Sequence, residues 1–219
     1  MLKPGTLTFL EKLSKNNNKA WFDKHREDYT ATKEDFEELV SKILTALAAT
    51  DPVFKEQTYK DCIMRIFRDV RFSKDKTPYK TNLGAGFSKG GRKFMGAGYY
   101  LHVEPGGKSF AGGGVWMPEA PLLKAVRQEI DYNFKEFTKI IEDKKFKKFF
   151  GAVSGEQLVK LPQGYTADNP AIAYLKMKSF TVTHNFADTE VTAKGFEKKV
   201  AEVYATMAPL IEFLNRSLS

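Results

Sequence analysis

The spacing of apolar residues changes twice along this 219-residue chain, and that change limits the folds open to it. Phe22, Tyr29, Phe36, Leu39, Val40, Ile43 and Leu47 recur at helical spacing, by sevens and then by threes and fours, the stripe of one helix about eight turns long. From Cys62 to Trp116 the runs are short and alternating, and glycine-rich breaks at Lys89–Arg92 and Pro105–Lys108 divide them, as in an antiparallel meander. Beyond Pro118 the helical period returns, ending in Phe196, Val200, Val203, Met207, Leu210, Ile211, Leu214 and Leu218. Helices on both sides of a run of strands predict a single α+β domain over 1–219. Its antiparallel sheet should hold about five or six strands, flanked by a long N-terminal helix and C-terminal helices. A helical part (about 6–50), a β-rich basic part (about 60–117) and a mixed helical part (about 118–217) follow.

Local signals set the expected boundaries. Thr6 is placed to cap a first helix with Leu7, Leu10 and Leu13 inward, and Asn18 to cap the long second one, which Asp51-Pro52 closes. The run Cys62–Phe67 reads as a strand. Along the strand that follows the first glycine break, Tyr99, Leu101 and Val103 face one way and Tyr100, His102 and Glu104 the other. Helices are expected at about 119–132 and 134–142, the second opened by an Asn133/Glu136 capping box. Asn169-Pro170 starts a short helix, residues 179–184 form a strand, and Pro209 should kink or split the last helix.

Composition excludes some classes. With 42% hydrophobic and 13% aromatic residues the chain can bury a core, unlike a disordered one. No stretch approaches the ~20 apolar residues of a membrane span, and the N-terminus lacks a signal-peptide core. One cysteine, Cys62, allows no internal disulfide, so a cytoplasmic location is expected. The net charge of +8 is local: residues 60–93 carry ten basic side chains against three acids, or +7. A focused field of that sign attracts anions.

The stretches NNNKAWFDKHREDY, RIFRDVRFSKDKTPYKTNLGAGF, YYLHVEPGGKSFAGGGVWMPE and PLIEFLNRSL, in that order, resemble the bacterial family catalogued as domain of unknown function 2461, over about residues 6–217. The resemblance implies a mostly single-domain cytoplasmic protein and brings no activity, cofactor or catalytic residue with it.

Candidate site residues therefore come from the chain itself. Arg65, Arg68 and Arg71, spaced by three, cannot gather on one extended strand; a turn at Arg68-Asp69 would bring Arg68 and Arg71 together. Guanidinium groups grip phosphate or carboxylate in a fork and lysines add point charge, so Arg65, Arg68, Arg71, Lys74, Lys76 and Lys80 form a candidate anion site with Tyr79 as stacking surface. The competing reading pairs them with Asp69 and Asp75. Gly112–Gly114 beside Trp116 leaves a bare backbone strip, Gly113 at its centre, for a ligand or for tight packing under a helix. Arg127 borders the apolar stripe of its helix and either snorkels outward or meets an acid or ligand. His102 and Glu104, on one strand face, are the acid–base candidates. His25, in the helix that carries Trp21 and Phe22, is a weaker candidate than His102, His184 ends a strand at the surface, and Cys62 reads as core. No His/Cys pair at ligand spacing, H-E-x-x-H, P-loop or G-x-S-x-G occurs, so no metal or cofactor is called for. The sequence thus points first to binding, with or without processing, of a small anionic or phosphorylated ligand. Nucleic-acid binding through residues 60–93 and a protein-interaction module are the alternatives, and the oligomeric state is not set.

Overall fold

The computed structural model describes residues 1–216 and Leu218. Three helices open the chain: α1 (Pro4–Lys15), α2 (Lys19–Lys24) and α3 (Arg26–Thr50). Proline at the first position suits α1, because its fixed φ is already helical. Thr6 does not cap this helix. It sits buried inside the first turn, and the buried Asp35 of α3 ties down the start of the helix. Its Oδ2 accepts from the Lys3 N–H at 2.8 Å and the Thr6 hydroxyl at 2.6 Å. Asn18 caps as expected, accepting from Trp21 N–H at 3.0 Å, but the helix it starts stops at His25. The apolar stripe carries on into α3, so one periodic pattern is carried by two helices.

The sheet has four antiparallel strands among the described residues, in the order β1 (Leu83–Phe87), β2 (Gly98–Val103), β3 (Ser109–Val115), β4 (Phe180–Phe186). The expected five or six is therefore corrected to four. The missing strand is Cys62–Phe67. A capping box at Thr58 and Asp61 winds residues 59–62 into the short α4 (Tyr59–Cys62), and the remainder makes only single bridges, Ile63 to Ala85 and Phe67 to Tyr79.

Five further helices are α5 (Ala120–Tyr132), α6 (Phe134–Ile141), α7 (Lys144–Phe150), α8 (Ile172–Leu175) and α9 (Asp188–Val191), and α10 (Phe196–Arg216) ends the described chain. Pro209 does not split α10, which runs through it. Asn133 makes no capping bond; its side chain donates back to Glu129 Oε1 at 3.1 Å. No helix among the described residues is long and apolar enough to cross a membrane.

The chain divides into two compact units. The first comprises Met1–Arg92, Tyr100–Ala111 and Asn185–Ala201, with Leu10, Phe36, Val40, Ile43, Phe87 and Leu101 among its buried residues. The second comprises Lys93–Tyr99, Gly112–His184 and the chain from Glu202, with Ile130, Phe137, Phe180, Met207 and Phe213 buried.

Candidate anion site and acid–base cluster

Within the first unit the basic segment folds into a hairpin. Its arms are tied where Arg68 N–H donates to Pro78 O at 2.9 Å and Lys80 N–H to Ile66 O at 2.8 Å. Residues between these arms form a loop that uses its own charges. Arg68 Nη1 donates to Asp75 Oδ2 at 2.5 Å, to Thr77 O at 3.1 Å and to the Thr77 hydroxyl. Arg71 holds Asp69 in a fork, Nε to Oδ1 at 3.0 Å and Nη2 to Oδ2 at 2.7 Å, and Lys76 donates to Val70 O at 2.9 Å. Hydrogen bonds from Thr77 and then the Arg68 guanidinium hold the Asp75 carboxyl below its ordinary range; those from Arg71 do the same for Asp69. Lys74 is exposed, and Phe72 at the tip is 95% exposed.

The base of the hairpin is different. Met64 N–H donates to Gly84 O at 2.9 Å, the next rung after the Lys80–Ile66 bond. Arg65 is thus the single residue between two rungs, and Thr81, Asn82 and Leu83 are the three that oppose it, a bulge in the ladder. Neither Arg65 nor Lys80 makes an ion pair or hydrogen bond with a carboxylate among the described residues, although the charge of Arg65 helps, after the Arg71 hydrogen bonds, to hold Asp69 below its ordinary range. Partial burial, and next the charge of Arg65, push the Lys80 ammonium below its ordinary range. Tyr79 is taken up by the core: 5% exposed, stacked at 4.0 Å on Phe22, its backbone held at both polar atoms by the Asn17 side chain. Those two bonds measure 2.9 Å to Tyr79 O and 3.1 Å from Tyr79 N–H.

Asn82 leads to a second cluster in the same unit. Its side-chain nitrogen lies 3.3 Å from His102 Nδ1, and the Tyr100 hydroxyl lies 3.4 Å from the same atom. The other ring nitrogen, Nε2, is 2.9 Å from Glu104 Oε2. When Nε2–H donates to Glu104, Nδ1 is the ring's acceptor. The side chains of His102 and Glu104 are only 16% and 22% exposed. Phe110 of β3 stacks on the imidazole at 4.8 Å, and Lys108 stands 3.4 Å from Glu104 Oε1. Burial raises the Tyr100 phenol above its usual range, keeping it a donor. Gly84 makes room for that phenol: a Cβ there would lie 2.6 Å from the hydroxyl. The turn between β2 and β3 is clamped as well, since Gly106 and Gly107 donate to the Asp188 carboxylate at 2.8 and 2.9 Å.

The remaining candidates belong to the second unit. Gly113 is covered by α10, where a Cβ would meet Met207 Sδ at 2.5 Å and Gly98 O at 2.8 Å, and Gly114 lies against the Phe180 carbonyl. Trp116 is 78% exposed and the next residue, Met117, has φ 47°, held by its N–H donating to Ser179 Oγ at 2.9 Å. Arg127 donates through Nη2 to Met177 O at 2.9 Å, while its Nε is buried without a partner, and burial lowers its affinity for a proton. Cys62, in the first unit, is buried, its thiol pushed up to about 12 by desolvation. Among the described residues no three His, Cys, Asp or Glu side chains cluster as metal ligands.

Residues 5–213 match a family model described as a conserved hypothetical protein (DUF2461). No curated protein and no solved structure matches the chain.

Proposed function

The chain belongs to the DUF2461 family, and from its site residues we propose that it binds a small phosphate-bearing anion at the base of the hairpin, through Arg65 and Lys80. One observation carries this reading: two cations close enough for one to repel the other, Lys80 partly buried, make no ion pair among the described residues, and Asp69, whose carboxylate feels the charge of Arg65, is already forked by Arg71. Desolvating a cation beside a like charge is unfavourable, and an incoming dianion relieves it. Arg68, Arg71 and Lys76 support the site indirectly by holding the loop, and Lys74 adds to the field. A cytoplasmic location stays part of the reading, on the single buried thiol.

Thermal unfolding with phosphate, sulfate and a nucleotide tests it. A ligand at about 100 times its dissociation constant should raise the midpoint by about 5 °C. Arg65→Ala and Lys80→Ala should remove that rise, and Arg71→Ala should leave it. A rise that persists in Arg65→Ala/Lys80→Ala sinks the proposal.

Phe72 favours a second reading. An aromatic ring 95% exposed beside Arg71 and Lys74 is a surface on which a base of single-stranded nucleic acid can stack. Oligonucleotide affinity should then fall steeply with salt and drop by about 1 to 3 kcal/mol in Phe72→Ala. Absence of oligonucleotide binding at low salt removes this reading and leaves the first untouched.

A further inference from the structure

We propose that Asn82, Tyr100, His102 and Glu104 form an acid–base site that hydrolyses a phosphoester held at Arg65 and Lys80, with His102 Nδ1 as the base. The inference rests on the anion-binding reading and adds chemistry to it. Three observations support it. First, the bulge links the two sets along the chain: Arg65 is opposed by Thr81, Asn82 and Leu83, and Asn82 is the residue whose amide reaches His102. Lys80 is two residues before Asn82, a span of at most about 7 Å.

Second, the imidazole is oriented as a base must be. Glu104 fixes the proton on Nε2 at 2.9 Å, and Phe110 on one face of the ring limits its rotation. Third, the Nδ1 lone pair is underused. Its two neighbours, Asn82 Nδ2 at 3.3 Å and Tyr100 Oη at 3.4 Å, stand at the outer limit of a hydrogen bond, so a water at ordinary distance can take their place. Both are neutral donors next to the oxygen that would gain charge.

The step balances without a redox partner. His102 Nδ1 takes a proton from water as the water oxygen bonds to phosphorus. The bond from phosphorus to the ester oxygen breaks, that oxygen leaves with the electron pair, and it is protonated from solvent. The imidazolium then returns its proton to solvent, and Glu104 stabilises it while it lasts. Arg65 and Lys80 offset charge on the non-bridging oxygens.

The test uses the full chain, p-nitrophenyl phosphate and bis(p-nitrophenyl) phosphate, in EDTA to silence trace metal phosphatases. Nitrophenolate release from at least one ester is expected, falling about 100-fold or more in His102→Ala and in His102→Gln, which keeps a hydrogen-bonding side chain. Arg65→Ala should raise KM more than it lowers kcat. Glu104→Gln should lower kcat more than it changes KM, because the carboxylate that stabilises the imidazolium acts in the step and not in binding the ester. A merely structural role for Glu104 would change both together. Phosphate raising the melting temperature with no release from either ester overturns the hydrolysis alone. Release that survives in both His102 variants overturns it too. Absence of any phosphate effect on melting overturns the binding reading beneath it.

Discussion

The tip and the base of the hairpin treat the same kind of side chain in opposite ways. At the tip Arg68 and Arg71 are consumed by Asp75 and Asp69, seven and two residues away, and Lys76 by a carbonyl six residues back. At the base Arg65 and Lys80 repel one another and make no ion pair among the described residues, where a bulge opens the ladder toward Asn82; the charge of Arg65 reaches only Asp69, which Arg71 already holds. Local acids can neutralise local bases only where the loop bends them together. Charge beyond that point is left for something from outside. The loop is therefore a brace, and the base is where an anion has most to gain.

The variant that breaks this contrast most severely is Asn17→Ala. Asn17 holds Tyr79 at both N–H and C=O, which fixes the second arm and with it Lys80 and Asn82. Losing both partly buried bonds should cost about 2 to 3 kcal/mol, a fall of about 5 to 10 °C in melting temperature. A loss under about 2 °C would mean that the arm is held by the Phe22–Tyr79 stack alone. Arg68→Ala comes next, at about 1 kcal/mol, because its guanidinium is only 25% exposed and also holds Thr77. Arg71→Ala should cost less still, since that pair is open to water and screened by salt. Urea unfolding measures both. If the two variants cost the same, the brace is not centred on Arg68.

What could be read ahead from the residues follows the range of the interaction. The period-two rule set Tyr100, His102 and Glu104 on one strand face; β2 ends at Val103, and the structure still brings His102 and Glu104 within hydrogen-bond distance. Asn82 was invisible: nothing near it in sequence names a histidine twenty residues on. Thr6 looked like a cap because caps are usually local, whereas Asp35 reaches the helix start from α3. Tyr79 looked like an exposed aromatic among bases. It is buried, because Asn17 and Phe22, more than fifty residues earlier, form its pocket. Cys62–Phe67 had strand composition, but an acid at Asp61 and a threonine at Thr58 wound its start into a turn of helix. For the bare glycine strip, periodicity could name the face of β3 and leave open what covers it; α10 covers Gly113. Long-range partners decided each of these outcomes, and a single sequence carries no record of them.

The smallest effect is the most discriminating, and it concerns Lys80. Burial, followed by the charge of Arg65, holds its ammonium below the ordinary lysine range. The native state therefore binds that proton less tightly than the unfolded chain does, and carries a cost at every pH below the depressed value. As pH rises through that value toward the ordinary lysine range, the native state sheds the proton first and the cost fades. Lys80→Met, which keeps the aliphatic stem, should thus melt about 1 to 2 °C above the wild type near neutral pH, with the gap closing in alkali. Adding phosphate should reverse the order, since only the wild type retains the pair of cations that the anion relieves. A Lys80→Met chain that is less stable than the wild type without phosphate would mean that the ammonium already stabilises the folded chain, and the base of the hairpin would then be no different from its tip.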